Sequence, residues 1–212
     1  MRDPYFYSDC PVLRNKLGIK DAALLDRAEV DITCKAIYDI SVSPVEGVYD
    51  FAHLCELHAR IFGSIYDWAG TPRIVAMEKQ EAVLGYMSIE YARPNNIEKE
   101  ASDVLNRMNK IEWDLLPLEQ QAGELARNLA ELWKVHPFRE GNTRTILTFI
   151  CQFAESRGLI LDRTLFEQNA AYMRNALVAA TAIFPDGDFR KPEYLCKIIK
   201  DSLERGQNPA KL

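Results

Sequence analysis

Nine consecutive residues, His136-Pro137-Phe138-Arg139-Glu140-Gly141-Asn142-Thr143-Arg144, gather an imidazole, a carboxylate, an amide and two guanidinium groups around one glycine. The string lies between two segments with helical apolar spacing, so one helix delivers His136 and the next begins where Gly141 ends. The first-turn N–H groups of that second helix lack internal acceptors, and its dipole adds positive potential, so a phosphate is stabilised there. Gly141 has no Cβ and lets the backbone turn close to a ligand. Asn142 is a preferred residue at a helix start, and Arg144 offers a donor fork that matches phosphate oxygens. Glu140 would repel a polyphosphate unless a cation intervened; Mg²⁺, held by one or two carboxylates plus phosphate oxygens and water, is the expected ion. His136 titrates near operating pH and suits a general base that takes a proton from an incoming hydroxyl. Pro137 fixes the exit from the preceding helix, and Phe138 is expected to anchor the loop in the core. The pattern predicts an enzyme that binds a polyphosphate and moves one of its groups.

The elements that must position this string are mostly helical. Apolar spacing predicts helices over about 21–40, 51–66, 97–111, 117–136, 141–157, 165–182 and 192–204. Asp50 is placed to cap the second and Asn95 or Asn96 the third, while Gly158 suits the C-terminal end of the motif helix. Residues 73–92 break the helical rhythm: Ile74-Val75-Ala76-Met77 and Tyr86-Met87-Ser88-Ile89 read as two short strands around 78–85. The chain divides into an irregular arm over 1–20, one helical domain over 21–206 and a tail over 207–212.

Composition narrows the class. At 212 residues, 48% hydrophobic and 27% charged, the chain has enough apolar content for one substantial core. No apolar run reaches the length of a membrane span, and the N-terminal residues lack a signal-peptide core, so a cytoplasmic location is expected, with export into another cell left open. A net charge of −5 argues against broad nucleic-acid binding. The five cysteines lack CxxC spacing and are expected to be reduced thiols. His53 and His58 are not spaced as a helical zinc pair and are expected to be partly exposed. Tyr66 and Trp68 either line the nucleotide pocket or pack the turn that holds them. No two glycines are separated by one residue, so no dinucleotide fingerprint exists and the phosphate site rests on Gly141.

The string His136–Arg144 resembles the signature of the Fic family, HPFx[D/E]GNGRxxR. The resemblance extends to Arg2-Asp3-Pro4-Tyr5, to Val12-Leu13-Arg14-Asn15-Lys16-Leu17-Gly18-Ile19 and to Phe51 through Arg73, covering about 2–205. It implies an all-α core with a short β-hairpin flap, at about 73–92, over the active site. It also implies transfer of AMP from ATP to a Ser, Thr or Tyr hydroxyl of a target protein, with release of pyrophosphate. In the same reading His136 is the base, Glu140 the Mg²⁺ ligand, and Gly141, Asn142 and Thr143 the anion cradle, with Arg144 on the β-phosphate. The target docks as an added strand at the flap edge. Lys79-Gln80 falls where many relatives carry a Lys-Gly pair near the nucleotide.

Two positions depart from the pattern. Thr143 replaces the second glycine, so its side chain narrows the phosphate approach or caps the helix. Leu147 stands where the final arginine belongs, which opens the alternatives of kinase, UMP or phosphocholine transfer, or a nucleotide-binding pseudoenzyme; Arg139 or Lys79 is the candidate substitute cation. The family's inhibitory motif, [S/T]xxxE[G/N], has no match, since Val42 and His136 precede Glu46-Gly47 and Glu140-Gly141 at the required spacing. A separate small inhibitory antitoxin is therefore the expected regulator, and the roles of toxin, effector and housekeeping enzyme stay open.

Overall fold

A computed structural model describes residues 3–207; Arg2 of the expected lead-in and 208–212 of the expected tail lie outside the described residues. The described chain is all-α with two short β-hairpins. Helices α1 (Ala22–Val42), α2 (Phe51–Phe62), α3 (Ile97–Asn109), α4 (Leu118–Val135), α5 (Asn142–Ser156), α6 (Arg163–Gln168), α7 (Ala170–Ala180) and α8 (Glu193–Gln207) carry the core. Strands β1 (Glu78–Glu81) and β2 (Met87–Glu90) form the flap, and β3 (Ile183–Phe184) and β4 (Gly187–Asp188) a minor hairpin.

Helix α4 is central, packing on α3, α5, α7 and α8, while α5 also meets α2 and α2 meets α1. Its inward residues Leu125, Leu129, Leu132 and Trp133 share one core with Ile146, Phe149, Ile150 and Phe153 of α5, all essentially solvent-free. Each such side chain contributes roughly 1.5–3 kcal/mol through burial. This dry seam fixes the end of α4 against the start of α5, where the motif sits.

Local chemistry sets the boundaries. Asp50 caps α2 by accepting the His53 amide at 2.8 Å, as its position predicts. Asn96 makes no such bond; a 3₁₀ turn over Pro94–Asn96 leads into α3 instead. The segment predicted as one helix over 165–182 is two, because Asn169 leaves helical geometry and its amide donates to the Leu165 carbonyl at 2.8 Å. The helix predicted to 66 ends at Phe62, where the chain folds back so that the Ile65 and Tyr66 amides both reach the Phe62 carbonyl.

The flap strands begin later than predicted. β1 is 78–81 rather than 74–77, pairing antiparallel with β2 in the register Glu78↔Glu90 to Glu81↔Met87. The β-rich run Ile74–Met77 is recruited elsewhere: the Val75 carbonyl accepts from Arg73 and the Met77 carbonyl from the Tyr91 amide. Gly85 and Tyr86, both at positive φ, close the turn. The arm contains a Phe6–Leu13 bridge and buries Tyr5 and Val12 against the core.

Candidate active site

The last carbonyls of α4 have no helical donors. Arg73 supplies donors to two at this end, those of Val135 and the cap residue His136. Its buried guanidinium donates to the carbonyls of His136 (2.8 Å), Val75 (2.6 Å), Ala92 (2.5 Å) and Val135 (3.4 Å). Its own amide reaches the Pro137 carbonyl at 2.8 Å. One side chain thus ties the end of α4 and the motif loop to both roots of the flap. Sequence reading missed Arg73, since nothing in its neighbourhood marks a residue that serves carbonyls about 60 positions away.

His136 ends α4 in the left-handed region, at φ 52°, which turns its side chain off the helix line. The imidazole stacks on Tyr91, with centroids 3.8 Å apart and planes at 14°, and meets Trp133 edge-on. Burial pushes its pKa well below the usual histidine value, and the charges of Lys79, Arg73 and Arg174 push in the same direction. The ring is therefore neutral near pH 7 and able to accept a proton. Its Nδ1 is buried without a partner.

The loop from His136 to α5 is locked from several sides. Asn142 accepts the Phe138 amide at 2.8 Å and donates to the Phe138 carbonyl at 2.7 Å, so its amide closes the loop instead of facing outward to a ligand. Thr143 accepts from the Trp133 indole at 2.9 Å and does not cap the helix. Gly141 sits at φ 78°, and a Cβ there would come within 2.2 Å of the Phe62 ring. Its place therefore requires glycine for conformation and for space. The first-turn amides of Asn142, Thr143 and Arg144 lack intrahelical acceptors, as at any helix start.

His58 supports the loop from beneath. It is wholly buried, contrary to the exposure expected from its spacing, and His53 is buried too. The apolar face of α2 extends around both. The His58 ring stacks on Phe138 at 3.8 Å, Nδ1 accepts the Gly70 amide at 2.8 Å, and Nε2 donates to the Glu140 carbonyl at 3.1 Å in the tautomer this pairing requires. Burial pulls its pKa down to about 4. Protons bind His58 and His136 in the unfolded chain first, from about pH 6.5 downward, so folding stability is complete above that pH and falls towards pH 4. The His58 share of the loss is on the order of 3 kcal/mol. Urea unfolding at pH 7 and pH 4.5 measures it, and His58→Gln should flatten the difference; equal wild-type and variant pH slopes would contradict the assignment.

The charged residues divide into two groups. Glu140 is partly open, and its Oε1 accepts the Gly141 amide at 2.9 Å and lies 3.9 Å from Arg144. Arg144 also pairs with Glu29 of α1, donates to Thr33 at 2.9 Å and lies over the Phe62 ring. The Tyr66 hydroxyl donates to the other Glu29 oxygen, so Tyr66 anchors this network rather than lying open to a ligand, and Trp68 stacks against it. Glu29, Tyr66 and Glu140 border a cavity of about 220 Å³. Sequence reading missed Glu29 and Thr33; their i, i+4 spacing on one face of α1 was the available signal.

The remaining candidates are not all brought to this point. Lys79 points inward from β1, and its charge is felt at His136, whereas the neighbouring Gln80 is exposed on the other face of the strand. Arg139 does not replace the missing arginine: it pairs with Asp3 at 2.9 Å and covers the rings of Tyr5 and Phe6, fastening the arm. Leu147 packs against the core. Flap residue Glu81 takes a two-point ion pair from Arg174 of α7, whose guanidinium lies over Trp133. The five cysteines are free thiols, and no described helix is long and apolar enough to cross a membrane.

Comparison with known proteins gives the family and the fold. The Fic/DOC family profile matches residues 48–154. Over 164 residues the chain is 32% identical to a protein adenylyltransferase, VbhT, of Bartonella schoenbuchensis, covering 76% of this chain and 32% of that protein. It is also 32% identical over 173 residues to the probable protein adenylyltransferase y4lH of Sinorhizobium fredii, covering 79% of this chain and 83% of the relative. The chain thus spans about a third of one relative's length and most of the other's. Its fold matches the N-terminal Fic domain of a Bartonella quintana effector solved with bound ADP, with a TM-score of 0.79, 24% identity and 93% of each chain covered.

Proposed function

Because this chain belongs to the Fic/DOC family, we propose that it is a protein adenylyltransferase, transferring AMP from ATP to a Ser, Thr or Tyr hydroxyl of a target protein. The observation that carries the reading is a neutral, buried His136 held at the end of α4 by Arg73, one short loop before the unpaired amides of α5. His136 accepts the hydroxyl proton, the hydroxyl oxygen bonds to the α-phosphorus, and the bond to pyrophosphate breaks. The Gly141–Arg144 backbone receives the phosphates, with Arg144 and Lys79 as the nearby cations.

Mg²⁺ fits Glu140: a partly open carboxylate with one oxygen fixed by the Gly141 amide is a hard oxygen donor of the kind the ion takes alongside phosphate oxygens. When bound, the ion neutralises charge on the phosphates. The target presents its hydroxyl at the flap, where β1 and β2 offer main-chain pairing. In this reading a small inhibitory protein restrains the enzyme, and the chain acts as a toxin or effector.

Leu147 favours one second reading. A leucine packed on the core offers no cation at the motif's last position, which suits transfer of a different phosphate-containing group. Incubation with Mg²⁺ and ATP labelled at the α- or the γ-position separates the two. Protein-bound α-label is expected; γ-label alone would replace adenylyl transfer with phosphorylation, and no label from either would remove both of these and leave a donor other than ATP.

A further inference from the structure

The outer face of α1 is apolar and open. Val30, Cys34, Tyr38 and Val42 recur every four residues, all exposed, with Val30 at 54%, Tyr38 at 68% and Val42 at 69%. They form a ridge about 18 Å long. The opposite face of the same helix is the one that enters the core, through Leu25, Glu29, Thr33 and Ile40. The ridge is thus an addition to the fold and not a part of its interior. A continuous exposed ridge of this kind marks an interaction surface more often than isolated apolar residues do.

A charged row runs beside it: Arg27, Asp31, Lys35 and Asp39, again every four residues and all exposed. Its signs read plus, minus, plus, minus. Reversed, they read minus, plus, minus, plus. A two-fold axis across the helix places a row against its own copy running the opposite way, because an isologous contact uses the same patch on both partners. Antiparallel apposition then sets Arg27 against the second copy's Asp39 and Asp31 against its Lys35. The axis falls near residue 33, with Cys34 beside it; the ridges overlap around Val30 and Cys34, and Tyr38 and Val42 meet the second copy's Ala28 and Leu24. Lys35 already pairs with Asp39 within the helix at 2.5 Å, but an exposed pair of this kind is worth little and can be shared with a second acidic group.

We infer that this face binds a second copy of the same chain, α1 against α1 in antiparallel register. One helix face lies at the small end of specific interfaces. Glu29 and Thr33 stay on the inner face, and the Arg144 network is left intact.

Sedimentation velocity over a concentration series tests the inference with the chain as it stands. A concentration-dependent dimer is expected. Tyr38→Glu, an exposed substitution that leaves the core alone, should return it to monomer. Asp31→Lys places like charges opposite each other and should weaken association about tenfold. Adding Lys35→Asp to Asp31→Lys restores opposite signs and should recover most of the loss. A short bis-maleimide should link two copies, and Cys34→Ser should abolish the link. A monomer at every concentration overturns the inference, as would occupation of the face by an unrelated protein. So does a dimer indifferent to Tyr38→Glu, or failure of the double charge exchange to recover association. None of these readouts depends on catalysis.

Discussion

His136→Asn lowers the rate of AMP transfer by roughly 10²- to 10⁴-fold, the range expected when a positioned general base is lost. Asparagine is chosen because His136 sits at φ 52°, where most side chains are strained and asparagine is tolerated. The main-chain bond from Arg73 to the residue 136 carbonyl survives the change, since it involves no side-chain atom of His136. The variant forfeits the ring stack on Tyr91, so a modest loss of stability is expected, about 1 kcal/mol. Nucleotide affinity should stay near its original value, because the α5 amides, Glu140 and Arg144 are untouched. The measurement is single-turnover transfer at saturating ATP, set beside ATP binding by calorimetry. A variant that binds ATP and transfers at the original rate would show that another group takes the proton. A variant that no longer binds ATP would place His136 in nucleotide binding instead.

The pH dependence of the same step follows from the direction of the His136 shift. With its pKa held well below the ordinary value by burial and by nearby cations, the base is already deprotonated at the ordinary histidine value. The rate therefore has no inflection at the ordinary histidine value.

The motif was legible because its parts are contiguous. An imidazole, a carboxylate and a glycine in one string survive any error in the placement of helices around them. Helix periodicity was legible for the same reason: the apolar rows of α4 and α5 lie within single segments, and Asp50 announces α2 through a bond only three residues long. What escaped is what the loop rests on. Arg73, His58 and Glu29 act across 63, 82 and 115 positions, and no local pattern records such a partnership. Arg139 was misread for a related reason. Its place inside the motif suggested phosphate, while the aspartate it serves lies 136 residues away. The flap strands were displaced because β-propensity measures fit to a half-buried pleated surface, and Ile74–Met77 found other partners around Arg73 and Tyr91.

Arg73→Lys is expected to destabilise the protein by about 3 kcal/mol, although it keeps the charge. The reason is geometric. Arg73 presents donors in a plane wide enough to reach carbonyls of Val75, Ala92, Val135 and His136 at once. A lysine ammonium is one point at the end of a flexible stem and cannot span them. At least two buried carbonyls then lose their donor, and each unsatisfied group costs about 1–3 kcal/mol. For a chain of this size a 3 kcal/mol loss lowers the melting temperature by roughly 6–12 °C. The damage should also be local. These carbonyls belong to the end of α4, to the motif loop's first residue and to the two segments from which the flap rises. Releasing them should expose 75–92 to limited proteolysis at temperatures where the rest of the chain resists. Transfer should fall more steeply than stability, because the imidazole loses its backbone tether while the helices remain folded. A lysine variant that melts within about 2 °C of the original and keeps its flap protected would mean the four-carbonyl clamp is not what holds His136 in place.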